Sequence, residues 1–322
     1  MWRKFLAATQ EPQPFTQVAI VGPGAIGCML AVRLARAGPS PRVTLIDHRR
    51  DRADRLSARP IVLHAPEGDL EARVPVRLVP DEPPDLVILT TKAYAAREAA
   101  RGAARWVGRA PVLAIQNGLG VAEEVAAALA RTAVITGVMY QAANMVAEGE
   151  IHHAANQRTH LGYLGRAPDE KVTAVAALFE SAGLPASVEE EMAPHVWGKA
   201  LVNAALNPVA ALAGVRNGDV AVRPALRAMA ETIAAEGETA ARAERVGLPY
   251  ASAAGATFET ARATAENCCS MLQDLQNGRP TEIEYLNGAI VRVAESYGLS
   301  SPANRAVATL VRAVSAARRE AS

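Results

Sequence analysis

Cysteine is almost missing from this chain: three residues in 322, two of them adjacent, Cys268 and Cys269. That leaves no disulfide framework and no C-x-x-C metal pattern, and it suits a reducing compartment, so a cytoplasmic protein is expected. Long apolar runs are missing as well. No stretch approaches a membrane span, and residues 1–16 lack the continuous apolar segment of a signal peptide. Those residues read as a mobile leader, with Pro12 and Pro14 preventing a helix. Nor is charge of one sign in excess. The formal net charge is +1, which gives no footing to nucleic acid or an acidic surface as a partner. What the chain does have is length and apolar residues enough for about two globular domains.

The chain is organised around VAIVGPGAIG. Four apolar residues, Val18, Ala19, Ile20 and Val21, run into Gly22-Pro23-Gly24-Ala25-Ile26-Gly27, and an apolar helical pattern follows at once. Strand, glycine turn and helix in that order, with G-x-G-x-x-G spacing, form a dinucleotide-binding fingerprint. Gly22 turns the chain off the strand, Gly24 leaves room for a pyrophosphate, and Gly27 packs the helix on its strand. The free N–H groups at the helix start, from Ala25 onward, then face the phosphates.

Further buried-type strands are expected at 43–46, 86–89, 112–115 and 133–137, with helices at 95–107, 122–129 and 172–182 between or after them. This alternation predicts a doubly wound parallel sheet. Residues 61–64 and 73–78 read as strands about a turn at Glu67-Gly68-Asp69. Residues 151–153 and 159–163 read as a hairpin turning at Asn156-Gln157. From Ala193 onward strand signals vanish, and helices are expected at about 194–213, 224–246, 250–266, 281–297 and 303–317. The reading is therefore α/β: a Rossmann-like domain over 17–190 and an all-α domain over 191–322, packed closely enough to form a cleft.

The helical half opens with the richest segment. Lys199, Asn203 and Asn207 stand at i, i+4, i+8 among alanine, leucine and valine, so they share one helix face. Burying them requires hydrogen-bond partners or a ligand; the alternative is a solvent-facing stripe. Pro208 predicts a kink or break just after Asn207. A second cluster runs Asn267-Cys268-Cys269-Ser270-Met271-Leu272-Gln273-Asp274 and continues to Thr281-Glu282-Ile283. There Thr281 reads as a helix N-cap and Glu282 as an ordinary first-turn acid. His152, His153 and His160 have no supporting carboxylate or cysteine spacing, so no metal is expected. His195 reads as a capping or packing residue, and Cys28 as core.

The glycine loop, Lys92, Gln116-Asn117-Gly118, Trp197-x-Lys199 with its two asparagines, and the 267–283 cluster occur in one order from residue 18 to about 293. Together they resemble the ketopantoate reductase family. The resemblance implies a helical domain of the 6-phosphogluconate dehydrogenase C-terminal type and NAD(P)H-dependent reduction of ketopantoate to pantoate, a step of pantothenate biosynthesis. It implies that Lys199 protonates the ketone oxygen and that Glu282 completes the site near the nicotinamide ribose. It places substrate on Asn203, Asn207, Asn267 and Ser270. It places the cofactor on Gly22, Gly24, Ala25, Ile26, Gly27, Lys92, Asn117 and the backbone of Ala143. Burial should lower the lysine's pKa, with Glu282 opposing that shift.

One departure bears on the cofactor. The family reads a 2′-phosphate with an arginine after the second strand; here that strand ends Leu45-Ile46-Asp47-His48-Arg49-Arg50. Asp47 is suited to accept from a free ribose 2′-hydroxyl, with His48 beside it, which points to NADH, while Arg49 or Arg50 leaves NADPH open. Such an aspartate also fits a D-2-hydroxyacid dehydrogenase acting on another branched or aromatic 2-oxo acid. A dinucleotide sensor without chemistry is a further alternative. A small 2-oxo acid is the expected partner, without nucleic acid or membrane. An apolar face on the helical half would suit a homodimer.

Overall fold

The first apolar run becomes β1 (Gln17–Val21) in the computed structural model, which describes residues 15–38, 40–131 and 133–320. Val18 to Val21 are all buried, because β1 has strands on both edges and helices on both faces. The expected leader lies outside the described residues except for its end, where the Thr16 backbone N–H and hydroxyl both donate to Asp85 Oδ2 at 2.8 Å.

From β1 the chain runs through α1 (Ala25–Ala35), β2 (Arg42–Ile46), α2 (Arg50–Ser57), β3 (Ile61–Ala65), β4 (Gly68–Ala72), β5 (Val76–Arg77), β6 (Leu86–Leu89) and α3 (Ala93–Ala103). It continues with β7 (Val112–Ala114), α4 (Val121–Ala128), β8 (Ile135–Ala147), β9 (Glu150–Gly162), α5 (Glu170–Ser181) and β10 (Ala186–Val188). Among the described residues these strands form one sheet, ordered β4-β3-β9-β8-β7-β6-β1-β2-β5, with β10 also on β9. The pairs are parallel except β3–β4 and β8–β9. One apolar cluster fills the α1 and α5 side of the sheet, another the α3 and α4 side. Cys28 is in the first of these, fully buried, and burial pushes its thiol up to about 12.

Two expected hairpins form differently. β3 pairs with 68–72 rather than 73–78, and Val76–Arg77 joins β2 instead. Residues 151–162 make no hairpin of their own: they lie in one strand, β9, which turns from β8 at Glu148-Gly149, and Tyr163 follows it. Asn156 and Gln157 are mid-strand. β8 hydrogen-bonds that stretch of backbone, and three register shifts absorb its irregularity.

The remaining elements are helical: α6 (Ala193–Ala213), α7 (Asn217–Val222), α8 (Pro224–Ala243), α9 (Ala253–Ala263), α10 (Ser270–Gln276), a 3₁₀ turn at Ile283–Tyr285, α11 (Asn287–Ser296) and α12 (Pro302–Glu320). Helix α6 continues through Pro208, so of the expected kink or break the break does not form. A proline there removes the N–H that would bond the Ala204 carbonyl. Asn287 Nδ2 donates to that carbonyl instead, at 3.0 Å, and also to Asn304 Oδ1 at 3.0 Å. The orphaned acceptor is thus satisfied from α11, and the helix carrying Lys199 stays continuous. The expected helix at 281–297 begins later, with Glu282 just before the 3₁₀ turn and without a side-chain cap from Thr281.

Candidate active site

At the glycine loop each glycine is where a side chain would fail or intrude. Gly22 has φ +106°, and a Cβ on Gly27 would sit 2.1 Å from the Gly22 carbonyl oxygen. A Cβ on Gly24 would meet no atom within 4 Å, so it faces open space. The backbone N–H groups of Ala25, Ile26 and Gly27 have no acceptor among the described residues. Three free donors at a helix N-terminus beside an open cradle are chemically suited to a pyrophosphate.

The end of β2 carries a buried ion pair. Asp47 is fully buried at its side chain. Its carboxylate accepts from Arg52 Nε at 2.5 Å, Arg52 Nη2 at 2.7 Å and the Arg49 N–H at 3.1 Å. Burial opposes the charge, but these donors outweigh it and hold the carboxyl below its ordinary range. Asp47 is thus engaged by Arg52 and by the Arg49 backbone at the end of β2. His48, Arg49 and Arg50 are exposed beside it. Arg52 lies on a charged, short helix that reads from sequence as a solvated surface, and only its i+5 spacing from Asp47 marks it.

A cleft opens between the halves, lined by Asn117, Gly118, Thr136, Val138, Val196 and Lys199 among others. Lys199 projects from α6 across to β8, where its ammonium donates to the Met139 carbonyl and lies 5.3 Å from the Tyr140 ring centroid. Burial pushes its pKa down to about 8, with Glu282 pulling the other way. Glu282 is buried. Its Oε1 accepts from the Ala93 N–H at 2.9 Å and its Oε2 from Asn117 Nδ2 at 3.2 Å. The 116–118 loop is seated by contact: the Leu119 N–H donates to the Tyr285 carbonyl at 2.8 Å. A Cβ on Gly118 (φ +103°) would lie 2.4 Å from that same oxygen. Only glycine lets the loop press so closely on the 3₁₀ turn that follows Glu282.

Asn203 and Asn207 continue down the Lys199 face of α6, half-buried and buried, and no side-chain hydrogen bond of theirs is found among the described residues. The Cys269 thiol donates to the Asn207 carbonyl at 3.4 Å, which seats the start of α10 beside Asn207. Ser270 opens α10, and Asn267 precedes it; both are exposed. Lys92, expected at the cofactor, has its ammonium 2.6 Å from Asp274 Oδ2, and Arg279 Nε donates to Oδ1 at 3.1 Å. Burial pushes Lys92 down, but Glu282 and Asp274 outweigh it and its pKa is raised. Ala143 lies half-buried in β8, next to a register shift. Tyr140, the Met139 carbonyl, Asp274 and Arg52 were not singled out from sequence. Tyr140 carried a signal as an aromatic at the edge of an apolar strand, whereas the others depend on contacts far apart in the chain.

Comparison with known proteins agrees with this arrangement. Residues 18–166 match the family model described as "Ketopantoate reductase PanE/ApbA", and residues 191–315 its "C terminal" model. The 2-dehydropantoate 2-reductase of Halobacterium salinarum is 34% identical over 301 residues, 92% of this chain and 98% of that protein. That of Archaeoglobus fulgidus is 36% identical over 233 residues, 72% and 77% respectively. The crystal structure of a PanE/ApbA family ketopantoate reductase from Ralstonia eutropha superposes with a TM-score of 0.86 at 30% identity, covering 94% of this chain and 99% of that one. The chain belongs to the ketopantoate reductase family.

Proposed function

We propose that this family member reduces 2-dehydropantoate to pantoate with NAD(P)H, and that its chemistry is carried by Lys199 and Glu282 between a sheet domain (17–190) and a helical domain (191–322). The observation that carries the reading is a half-buried lysine, its pKa lowered to about 8, in the same cleft as Asn117. The glycine loop suits the cofactor: its three free N–H groups and the Gly24 opening would hold the pyrophosphate, and Lys92 and Asn117 would meet it further along. The nicotinamide, when bound, supplies the hydride that reduces C2 of the substrate.

The chain's own residues do the rest. As C2 is reduced its oxygen becomes an alkoxide. The Lys199 ammonium stabilises that charge and transfers its proton, and the lysine is then recharged from solvent. General-acid help of this kind is worth about a hundred- to ten-thousand-fold. A donor near pKa 8 is matched to a neutral operating pH. Glu282 keeps the lysine from losing its proton too early and orients Asn117. Asn203 and Asn207, whose amides have no hydrogen-bond partner among the described residues, and Ser270 and Asn267 suit the substrate's carboxylate and hydroxyl ends.

For the finer choice of cofactor we infer NADPH. Arg52 neutralises Asp47 and Asp47 is buried, so the surface past β2 presents His48 and Arg50 to a 2′-phosphate, with Arg49 held by Asp51 Oδ2 at 2.7 Å. The compartment that suits this reductant and three reduced thiols is the cytoplasm. Among the described residues no helix is long and apolar enough to cross a membrane. The test is steady-state oxidation of NADPH and of NADH with ketopantoate at matched concentrations. A higher kcat/KM with NADPH is expected; turnover with NADH alone would return Asp47 to the role of ribose acceptor. Turnover with neither would overturn the substrate assignment.

A further inference from the structure

Three donors from three separate elements meet just outside the cleft. His160 comes from β9, Glu189 follows β10, and His195 is in the first turn of α6. His160 Nδ1 lies 2.7 Å from Glu189 Oε1, and His195 Nε2 lies 3.4 Å from Oε2. One donor atom from each falls within 4.8 Å of the others. The Ser187 hydroxyl is a fourth polar group, 2.6 Å from Glu189 Oε1 and 3.2 Å from His160 Nδ1. The group thus holds two imidazoles and a carboxylate, half-buried, with no lysine or arginine beside the carboxylate among the described residues.

We infer that His160, Glu189 and His195 form a site for a divalent transition-metal ion of the zinc class, which fastens the first turn of α6 to the sheet. Two imidazole nitrogens and one carboxylate oxygen are a donor set that such ions take, with a fourth position left for water or the Ser187 hydroxyl. The two rings are stacked, 4.1 Å between centroids and 20° between planes. To bring both nitrogens to about 2.1 Å from one ion, one ring must rotate out of the stack. The His195 side chain is partly exposed and is the ring the proposal requires to turn. The other histidines of this region do not compete. His153 is fully buried and committed at both nitrogens, to Arg33 Nη2 at 3.0 Å and Gln141 Oε1 at 2.7 Å. The absence of metal-ligand spacing in the sequence is explained by the topology: β10 and the chain reversal before α6 bring residues 160, 189 and 195 together.

The test is a Zn²⁺ titration of the full chain, freed of metal with a chelator, in competition with a chromogenic chelator. The wild type is expected to take one equivalent and to gain in thermal midpoint as it does. His160→Asn with His195→Asn should lose the equivalent and the gain. Glu189→Gln, which keeps the shape and one acceptor, should weaken binding at least tenfold. That variant decides the matter if the double variant shows no cooperative thermal transition. No bound equivalent in the wild type, or equal binding in wild type and Glu189→Gln, would overturn the site. The readout is metal binding, so neither result depends on the reductase assignment.

Discussion

Lys92 and Lys199 stand on opposite sides of the interdomain cleft, and the same physics sends them in opposite directions. Burial disfavours the charge on both. Lys92 faces two carboxylates, Glu282 and Asp274, the second at 2.6 Å, and its pKa ends above the usual value. Lys199 feels only Glu282, spends its hydrogen bond on a neutral carbonyl, and falls to about 8. A second carboxylate at hydrogen-bond distance is one difference between a lysine held as a cation and one suited to give up its proton. The first kind suits a cofactor phosphate or ribose; the second suits a ketone under reduction.

The difference can be broken most severely at Lys199. Lys199→Ala should lower kcat with ketopantoate by about a hundred- to ten-thousand-fold. The affinity for NADPH, measured by fluorescence titration, should stay near the wild-type value. Lys92→Ala should give the converse pattern: the KM for NADPH rises by about ten- to a hundredfold, the worth of one charge-assisted hydrogen bond, with kcat little changed. If both variants lose kcat alone, the division of labour between the two lysines is wrong.

Glu282→Gln sharpens the comparison, because Glu282 raises both lysines. Glutamine can still accept from the Ala93 N–H. Without the charge, Lys199 loses its proton at lower pH, so the alkaline fall of kcat should move to lower pH than in the wild type. A limb that stays in place would remove Glu282 from the control of the lysine. The smallest effect is expected in the helix that carries Lys199. Asn287→Ala leaves the Ala204 carbonyl buried without a donor and should cost about 1–3 kcal/mol. It should be visible as a lowered thermal midpoint with kcat retained in the folded enzyme.

How much of this was legible in the sequence follows from distance along the chain. Gly22, Gly24 and Gly27 serve a turn and a helix start that lie within six residues, so their spacing alone carries the meaning. The α6 stripe of Lys199, Asn203 and Asn207 was legible for the same reason: a helix face is a local pattern. Glu282 was legible only through the family resemblance; its residue-level reading as a first-turn acid missed its reach to Ala93 and Asn117, 189 and 165 positions away. The Asp47–Arg52 pair was not legible, because Arg52 sits in a run of charges that looks solvated. Asn156 and Gln157 looked like a turn because polar residues are rare in buried strands, yet β9 there is partly exposed and pairs with a long β8. Pro208 looked like a break because its rescuer, Asn287, is 83 residues from the carbonyl it satisfies.

The central claim is that a lysine with a pKa near 8 delivers the proton. The most direct measurement is kcat for NADPH-dependent ketopantoate reduction across pH, beside Lys199→Arg, whose side chain keeps its proton throughout. Only the protonated lysine can donate, so the wild-type kcat should be level at neutral pH and fall as pH rises through about 8. In Lys199→Arg, slower overall, that fall should be absent. A wild-type kcat that stays level well past pH 8, or an identical fall in Lys199→Arg, would contradict the account.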